Sequence, residues 1–415
     1  VIETLFADLF EEEKELYSRL MQASIEGHLC IEDAKVANLK PHPLVVADVN
    51  RLYLKRNWVD ETRVIDNLKR LVGPFPNPPV AFEGLTADQE AAAQMAMCQA
   101  VSIITGGPGT GKTHIAKAVA QAVGDRVVLM APTGKAAAGL QQIGSHVRAG
   151  TVHAILGIRS RRDFLKEGSY LPADLVIVDE CSMMDASLFA YLLGSISKGT
   201  RLVLMGDADQ LPAVGSGSLF ADLVDLLPTT RLKQVLRSRE EKILSLAEAI
   251  RRGDGDEVVR RIEPWDERWR EGGCILSCMR EGPLGVNALN QRFKAVPAPI
   301  ILKRTNYDVG LYNGETGLLM HDHALFSGDR KIPLGKLPEY EYAYALSVHK
   351  SQGSEFDHVT ILVPKGSEVF GREVLYTAVT RARHSICLAG DVETIRQTAL
   401  RSSRKISGLR ARVTL

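Results

Sequence analysis

The sequence predicts an α/β fold of parallel sheets covered by helices, preceded by a helical segment. Short apolar runs at Val101 to Thr105, Arg126 to Met130, Leu175 to Val178 and Arg201 to Met205 alternate with stretches of helical periodicity, as strand–helix units do. A second set, at Ile300 to Leu302, Val359 to Val363 and Ser385 to Ala389, implies another domain of the same kind. A glycine-rich stretch, 106–111, lies between the first apolar run and the helical pattern Ile115 to Val123.

Taken in order, residues 1–72 carry apolar positions at helical spacing (Leu5, Leu9, Leu16, Leu20) and no catalytic pattern, and read as a small helical domain. Gly73-Pro74-Phe75-Pro76-Asn77-Pro78-Pro79 cannot continue a helix or a central strand, because proline lacks the amide donor, so 73–84 reads as a linker. The first α/β domain is expected over 85–228 and the second over 229–415, the latter interrupted by a glycine- and proline-rich stretch around Asn313 to Pro338.

With 415 residues, 45% hydrophobic and 24% charged, the chain can fill several cores, which excludes wholesale disorder and fibrous folds. A net charge of +1 excludes a bulk polycation but permits a local basic groove. Charge is uneven: the first forty residues hold nine acids against four bases, and 394–415 hold six bases and no acid. That basic tail is either a phosphate contact or a solvated helix face. The six cysteines form no CxxC pairs and no secretory signal opens the chain, which fits a reducing cytoplasm. Cys274 and Cys278 lack a second ligand pair, so no structural metal is expected. No apolar run approaches the roughly 20 residues that cross a bilayer.

Gly106-Gly107-Pro108-Gly109-Thr110-Gly111-Lys112-Thr113 fits the phosphate-loop pattern between a strand and a helix. Glycines let backbone amides wrap phosphates, Lys112 neutralises the β and γ phosphates, and Thr113 ligates magnesium. ATP and Mg2+ are therefore the expected cofactors. Leu175 to Val178 delivers Asp179 and Glu180 at a strand end, Asp179 to hold magnesium and Glu180 to activate water. Alone that pair would read as surface acids; after a phosphate loop it reads as catalytic. Gly206 to Pro212 ends the next strand, with Gln210 placed to sense the γ phosphate, where the bland alternative is a plain turn.

The order of motifs resembles helicase superfamily 1, and within it the RecD-like branch, over roughly residues 85 to 390. The resemblance rests on Leu85-Thr86-Ala87-Asp88-Gln89, the phosphate loop, Ala131-Pro132-Thr133-Gly134-Lys135-Ala136-Ala137, Thr151-Val152-His153, Asp179-Glu180-Cys181-Ser182-Met183 and Gly206 to Pro212. It continues through Arg237, Asn306 to Gly317, Ser347-Val348-His349-Lys350-Ser351-Gln352-Gly353-Ser354-Glu355 and Tyr376-Thr377-Ala378-Val379-Thr380-Arg381-Ala382. Cys181 and Ser347 stand where family members often carry alanine and threonine.

The resemblance implies two RecA-like motor domains of the phosphate-loop NTPase class, with a helical N-terminal domain and a small SH3-like insertion at about 314–342. It assigns Gln89 to the adenine and Gly353 and Glu355 to the nucleotide side. Arg237 and Arg381 reach the γ phosphate from the second motor, and Pro132, Thr133, Thr151, His153, Asn306, His349 and Ser351 contact the DNA strand. It further implies 5′ to 3′ movement on single-stranded DNA from duplex ends, beside the beta (RecB) and gamma (RecC) subunits of bacterial exodeoxyribonuclease V, with residues 1–72 docking the gamma subunit. No nuclease cluster of carboxylates is seen, so no DNA cleavage is expected. Arg280-Glu281-Gly282-Pro283-Leu284-Gly285-Val286 resembles the exonuclease subunit more than stand-alone RecD-like helicases. A solitary repair helicase, an RNA helicase and a non-hydrolysing clamp stay open.

Overall fold

The structure, a computed structural model, describes residues 2–10, 13–76, 80–144, 147–160, 162–165, 169–236, 240–266, 273–293 and 297–413. The N-terminal region corrects the all-helical expectation. Besides helices at Ile2–Ala7, Lys14–Ile25 and Lys55–Leu71, it holds an antiparallel sheet of β1 (Cys30–Glu32), β2 (Val45–Asp48) and β3 (Arg51–Leu54), in the order β1-β3-β2. The β2–β3 hairpin turns on two residues, with Val49 at φ 56°. Asn50 suits such a turn, but a β-branched residue in left-handed geometry beside it is unusual and weakens the signal in the sequence.

The helix Lys55–Leu71 is not separate from the first α/β domain. Val64, Leu68 and Leu71 share one core with Phe189, Leu192 and Leu193 of the helix Ala186–Gly194. Arg70 donates from Nη1 to the carbonyl of Ile196 at 2.9 Å and from Nη2 to that of Leu193 at 3.0 Å, satisfying carbonyls at the end of that helix. A boundary at residue 72 therefore runs through shared packing.

The first parallel sheet contains β4 (Val101–Gly106), β5 (Val127–Ala131), β6 (Arg148–Thr151), β7 (Leu175–Val178), β8 (Arg201–Gly206) and β9 (Thr229–Leu232), ordered β6-β5-β7-β8-β4-β9. Because β7, β8 and β4 are parallel neighbours, their C-terminal ends open on one edge. The phosphate loop, the acidic pair and the Gln210 loop all leave from that edge, where ligands bind in open α/β sheets.

β10 (Gly273–Ser277) begins the second parallel sheet. The chain then leaves it for a five-stranded antiparallel sheet of β11 (Ala298–Leu302), β12 (Thr316–Leu319), β13 (His323–Phe326), β14 (Arg330–Pro333) and β15 (Tyr340–Tyr342). It returns as β16 (Ala345–Ser347), β17 (Phe356–Val363) and β18 (Ala382–Gly390), giving the parallel order β16-β10-β17-β18. Ile300 to Leu302, expected in the parallel sheet, instead pairs antiparallel with β12 and β15. A short apolar run looks the same in either kind of buried strand. The insertion consequently occupies 298–342.

Much of the basic tail is bound within the chain. Arg410 bonds Asp222 at 2.7 Å and Asp225 at 2.6 Å, and Arg412 bonds Glu61, which is 0% exposed, at 2.6 Å. Glu373 accepts from Ser402 Oγ at 2.7 Å and from the Ser403 amide at 2.8 Å. The tail thus straps the N-terminal region and both parallel-sheet domains together. Among the described residues no helix is long and apolar enough to cross a membrane.

Candidate nucleotide cleft and nucleic-acid groove

The phosphate loop follows β4 and ends at the helix Lys112–Val123. Gly111 has φ 85°, and a Cβ there would collide with Nε2 of Gln89, so glycine is required on both counts. Gln89 holds the loop from behind: its Oε1 accepts from the Thr86 amide at 3.1 Å, within a capping box, and its Nε2 donates to the Thr110 carbonyl at 3.1 Å. Thr110 Oγ1 donates to the Gly107 carbonyl at 2.8 Å. Lys112 Nζ curls onto the carbonyls of Gly106 (2.6 Å) and Gly107 (3.2 Å), over the concave side of the loop.

Lys112 and Thr113 line a cleft of about 780 Å³ together with Asp179, Glu180, Gln210 and Arg381. Pro108, Gly109, Gly111, Gly353 and Glu355 also border it. The acidic pair comes from the end of β7, where the Glu180 amide donates to Asp179 Oδ1 at 2.8 Å and Glu180 takes left-handed backbone geometry (φ 54°). A non-glycine residue in that region carries strain that the surrounding structure must hold. Burial first, and Asp179 second, raise the Glu180 carboxyl above its ordinary range, while Lys112 and Arg381 oppose the shift. A raised pKa makes the carboxylate a stronger base toward a nearby water.

Arg381 enters from the other side, following the helix Gly371–Val379. It is 3% exposed and donates to three neutral oxygens: the Thr377 carbonyl (3.1 Å), the Ser354 carbonyl (3.2 Å) and Thr380 Oγ1 (3.2 Å). Among the described residues it forms no salt bridge. A buried guanidinium without a carboxylate is costly by itself and gains from an anion. Arg237 lies outside the described residues; its neighbour Leu236 donates its amide to the Gly109 carbonyl at 2.9 Å and lines the same cleft.

Sequence reasoning gave Lys135 no role. Its ammonium crosses between the domains to Ser354 Oγ at 2.8 Å, borders the cleft, and has its pKa lowered by burial. The signal was available, since Lys135 stands inside the Ala131 to Ala137 motif.

The residues assigned to the strand are only partly brought together. Pro132, Thr133 and His153 line a groove of about 530 Å³, closed by Phe164, Val214 and Gln352. Thr133 and Thr151 cap helices, accepting from the amides of Ala136 (3.3 Å) and Ala154 (3.1 Å). His153 is exposed and meets Phe164 edge-on, ring centroids 6.4 Å apart. Phe164 went unnoticed in the sequence, where a lone aromatic in a charged stretch carries no pattern. Asn306 belongs to the antiparallel-sheet region, where its Oδ1 accepts from the Asp308 amide at 3.1 Å. His349 is half-buried against Phe370, with its pKa lowered mainly by burial. Ser351 is fully buried, its hydroxyl donated to the Val348 carbonyl at 2.8 Å. None of Asn306, His349 and Ser351 lines that groove.

Comparison with known proteins agrees with this architecture. Residues 84–266 match an AAA domain model, and 342–389 match the UvrD-like helicase C-terminal domain. RecBCD enzyme subunit RecD of Mycolicibacterium smegmatis is 32% identical, over 87% of this chain and 82% of that protein. The chain belongs to the RecD family. The ATP-dependent RecD2 DNA helicase of Deinococcus radiodurans is 31% identical over 80% of this chain but only 54% of that protein. Bacteroides Pif1 bound to ssDNA shares the fold, with a TM-score of 0.53 at 18% identity over 75% of this chain and 93% of that one. A RecD-family chain with these motifs uses a nucleotide.

Proposed function

We propose that the protein is the ATP-driven 5′ to 3′ DNA helicase motor of a bacterial exodeoxyribonuclease V, working on single-stranded DNA from duplex ends in the cytoplasm. One observation carries the reading: Lys112 and Glu180 from one parallel sheet and Arg381 from the other line a single cleft. Thr113 and Asp179 would hold Mg2+, which supplies charge neutralisation at the phosphates. Glu180 takes the proton of the attacking water, Arg381 stabilises the charge that develops on the γ phosphate, and Arg237 is proposed to join it. Closing and opening the cleft then moves the two domains along the strand.

The groove at Pro132, Thr133 and His153 is proposed as part of the strand path, tracking phosphate and base faces without reading sequence. Partnership with the beta and gamma subunits is favoured over a solitary helicase, because the mycolicibacterial RecD subunit matches 87% of this chain and the Deinococcus RecD2 80%. The N-terminal region is the proposed dock for the gamma subunit, and exposed Ile2, Leu5 and Leu9 supply an apolar surface there.

ATP hydrolysis measured with and without single-stranded DNA, across a salt series and against Lys112→Gln, tests the motor. Stimulation that weakens with salt and is absent in the variant is expected; hydrolysis indifferent to DNA would refute it. Unwinding of a 5′-tailed but not a 3′-tailed duplex is the expected polarity, and the reverse preference would overturn it.

A further inference from the structure

We propose that Tyr376 is a positioning residue which, through Asp207, sets the Gln210 side-chain amide for hydrolysis when the two parallel-sheet domains are together. The inference rests on the ATPase reading above and concerns how that site is assembled.

Tyr376 lies on the helix Gly371–Val379 of the second parallel-sheet domain, whereas Asp207 and Gln210 follow β8 of the first. The Tyr376 hydroxyl donates to Asp207 Oδ2 at 3.2 Å, and Gln210 Nε2 donates to the same oxygen at 3.1 Å. The other carboxylate oxygen accepts from the Asp209 amide at 3.1 Å. All three side chains are buried: Asp207 is 2% exposed, Gln210 5% and Tyr376 8%. An ionised carboxylate only accepts hydrogen bonds, so Asp207 claims the nitrogen end of the Gln210 amide. The carbonyl end is left to the cleft that Gln210 borders beside Glu180. An amide oxygen there accepts a hydrogen from water and orients it for attack on phosphate.

Two further contacts show the loop gripped from the opposite domain. The Leu211 amide donates to Thr377 Oγ1 at 2.8 Å, and Gln352 Nε2 donates to the Leu211 carbonyl at 3.4 Å. The Tyr376 hydroxyl also lies against the phosphate loop, since a Cβ at Gly107 would stand 3.2 Å from it. Burial, Asp207 and Asp209 push the phenol well above its ordinary pKa, so it remains a donor at any working pH. With the domains apart, Asp207 keeps its bonds to the Asp209 amide and Gln210 but loses the Tyr376 donor, and the loop loses its Thr377 anchor, so carboxylate and amide are held less firmly. Hydrolysis geometry is thereby tied to closure.

Steady-state ATP hydrolysis by the full chain with saturating single-stranded DNA tests this in wild type, Tyr376→Phe, Gln210→Ala and the double variant, each checked by thermal melting. Tyr376→Phe keeps the ring and removes one hydrogen bond to a charged group; kcat is expected to fall ~10-fold or more, with KM for ATP within ~2-fold. In the Gln210→Ala background the same change is expected to alter kcat by less than ~2-fold, because the amide it acts on is gone. Equal losses in both backgrounds, or KM rising in step with the loss, would mean that Tyr376 only packs, and would overturn the proposal. Should Tyr376→Phe not fold, Asp207→Asn replaces it: an amide there can donate and lets Gln210 turn, so a kcat as low as that of Gln210→Ala is expected and wild-type kcat overturns the idea. Wild type that hydrolyses no ATP with DNA removes the ATPase reading and this inference together. An active wild type with additive losses removes only the inference.

Discussion

The nucleotide cleft and the groove at Pro132, Thr133 and His153 lie in the same molecule but are built on opposite terms. In the cleft, charged groups are held where they are uncomfortable: Glu180 is in left-handed geometry with a raised pKa, Arg381 is buried among neutral oxygens, and Lys135 is desolvated. In the groove, the side chains are at ease. Thr133 satisfies a helix end, and His153 and Phe164 offer ring edges and faces. The contrast teaches that the cleft is organised for a reaction, in which stored strain and unpaired charge are relieved by an anion. The groove is organised for weak, repeated contact, which a moving motor needs.

If that division is right, the largest effect of any single change falls on the cleft and on rate. Glu180→Gln keeps the shape and removes the base, so DNA-stimulated kcat is expected to fall ~10²–10⁴-fold, with nucleotide binding by a fluorescent analogue retained. A loss confined to KM would move Glu180 into the binding class and break the comparison.

The groove answers in affinity. Phe164→Ala removes a ring on which a base can stack, an interaction worth about 1–3 kcal/mol, so the DNA concentration giving half-maximal ATPase is expected to rise ~5–100-fold while kcat at saturation is kept. His153→Ala is expected to change affinity in the same direction with a smaller rise. A fall in saturated kcat for either variant would show that the groove participates in the chemistry. Thr133→Ala sharpens the point, since losing its cap costs about 1 kcal/mol of stability. Denaturant melts read that loss directly, and an unchanged midpoint would deny the cap its structural share.

Legibility in the sequence divides along the same line. Chemistry fixes residue type at each step of the phosphate loop, the Asp179-Glu180 pair and the Gln210 loop, and these stand where the parallel order β7-β8-β4 requires. Contacts that cross domains could not be paired from the sequence, although each partner stands in a motif: Tyr376 meets Asp207 across 169 positions, and Lys135 meets Ser354 across 219. No periodicity links such pairs. The β2–β3 hairpin was obscured by Val49, which precedes Asn50 in a turn that rarely holds a β-branched residue, and β11 by an apolar run that suits either sheet. Burial was equally unreadable for Ser351, whose motif suggests a strand contact while the fold closes over its hydroxyl.

The smallest expected effect is on stability, and it runs against the loss of rate. The Glu180 carboxyl has its pKa raised above the ordinary value of 4.5 by burial and by Asp179. In the unfolded chain it ionises at that ordinary value, so between the two values the folded state keeps a proton that the unfolded state has released. Stability is therefore fully present below the unfolded pKa and is lost as pH rises through the folded one. Glutamine carries no such proton and escapes the loss. Glu180→Gln should then melt above wild type at pH 8. As pH is lowered toward 5 the two melting curves should converge, because wild type regains the proton. A gap that stays constant across this range would mean that the carboxylate is not penalised where it stands. A gap that closes would show that the cleft gives up stability for a base, as the contrast with the groove requires.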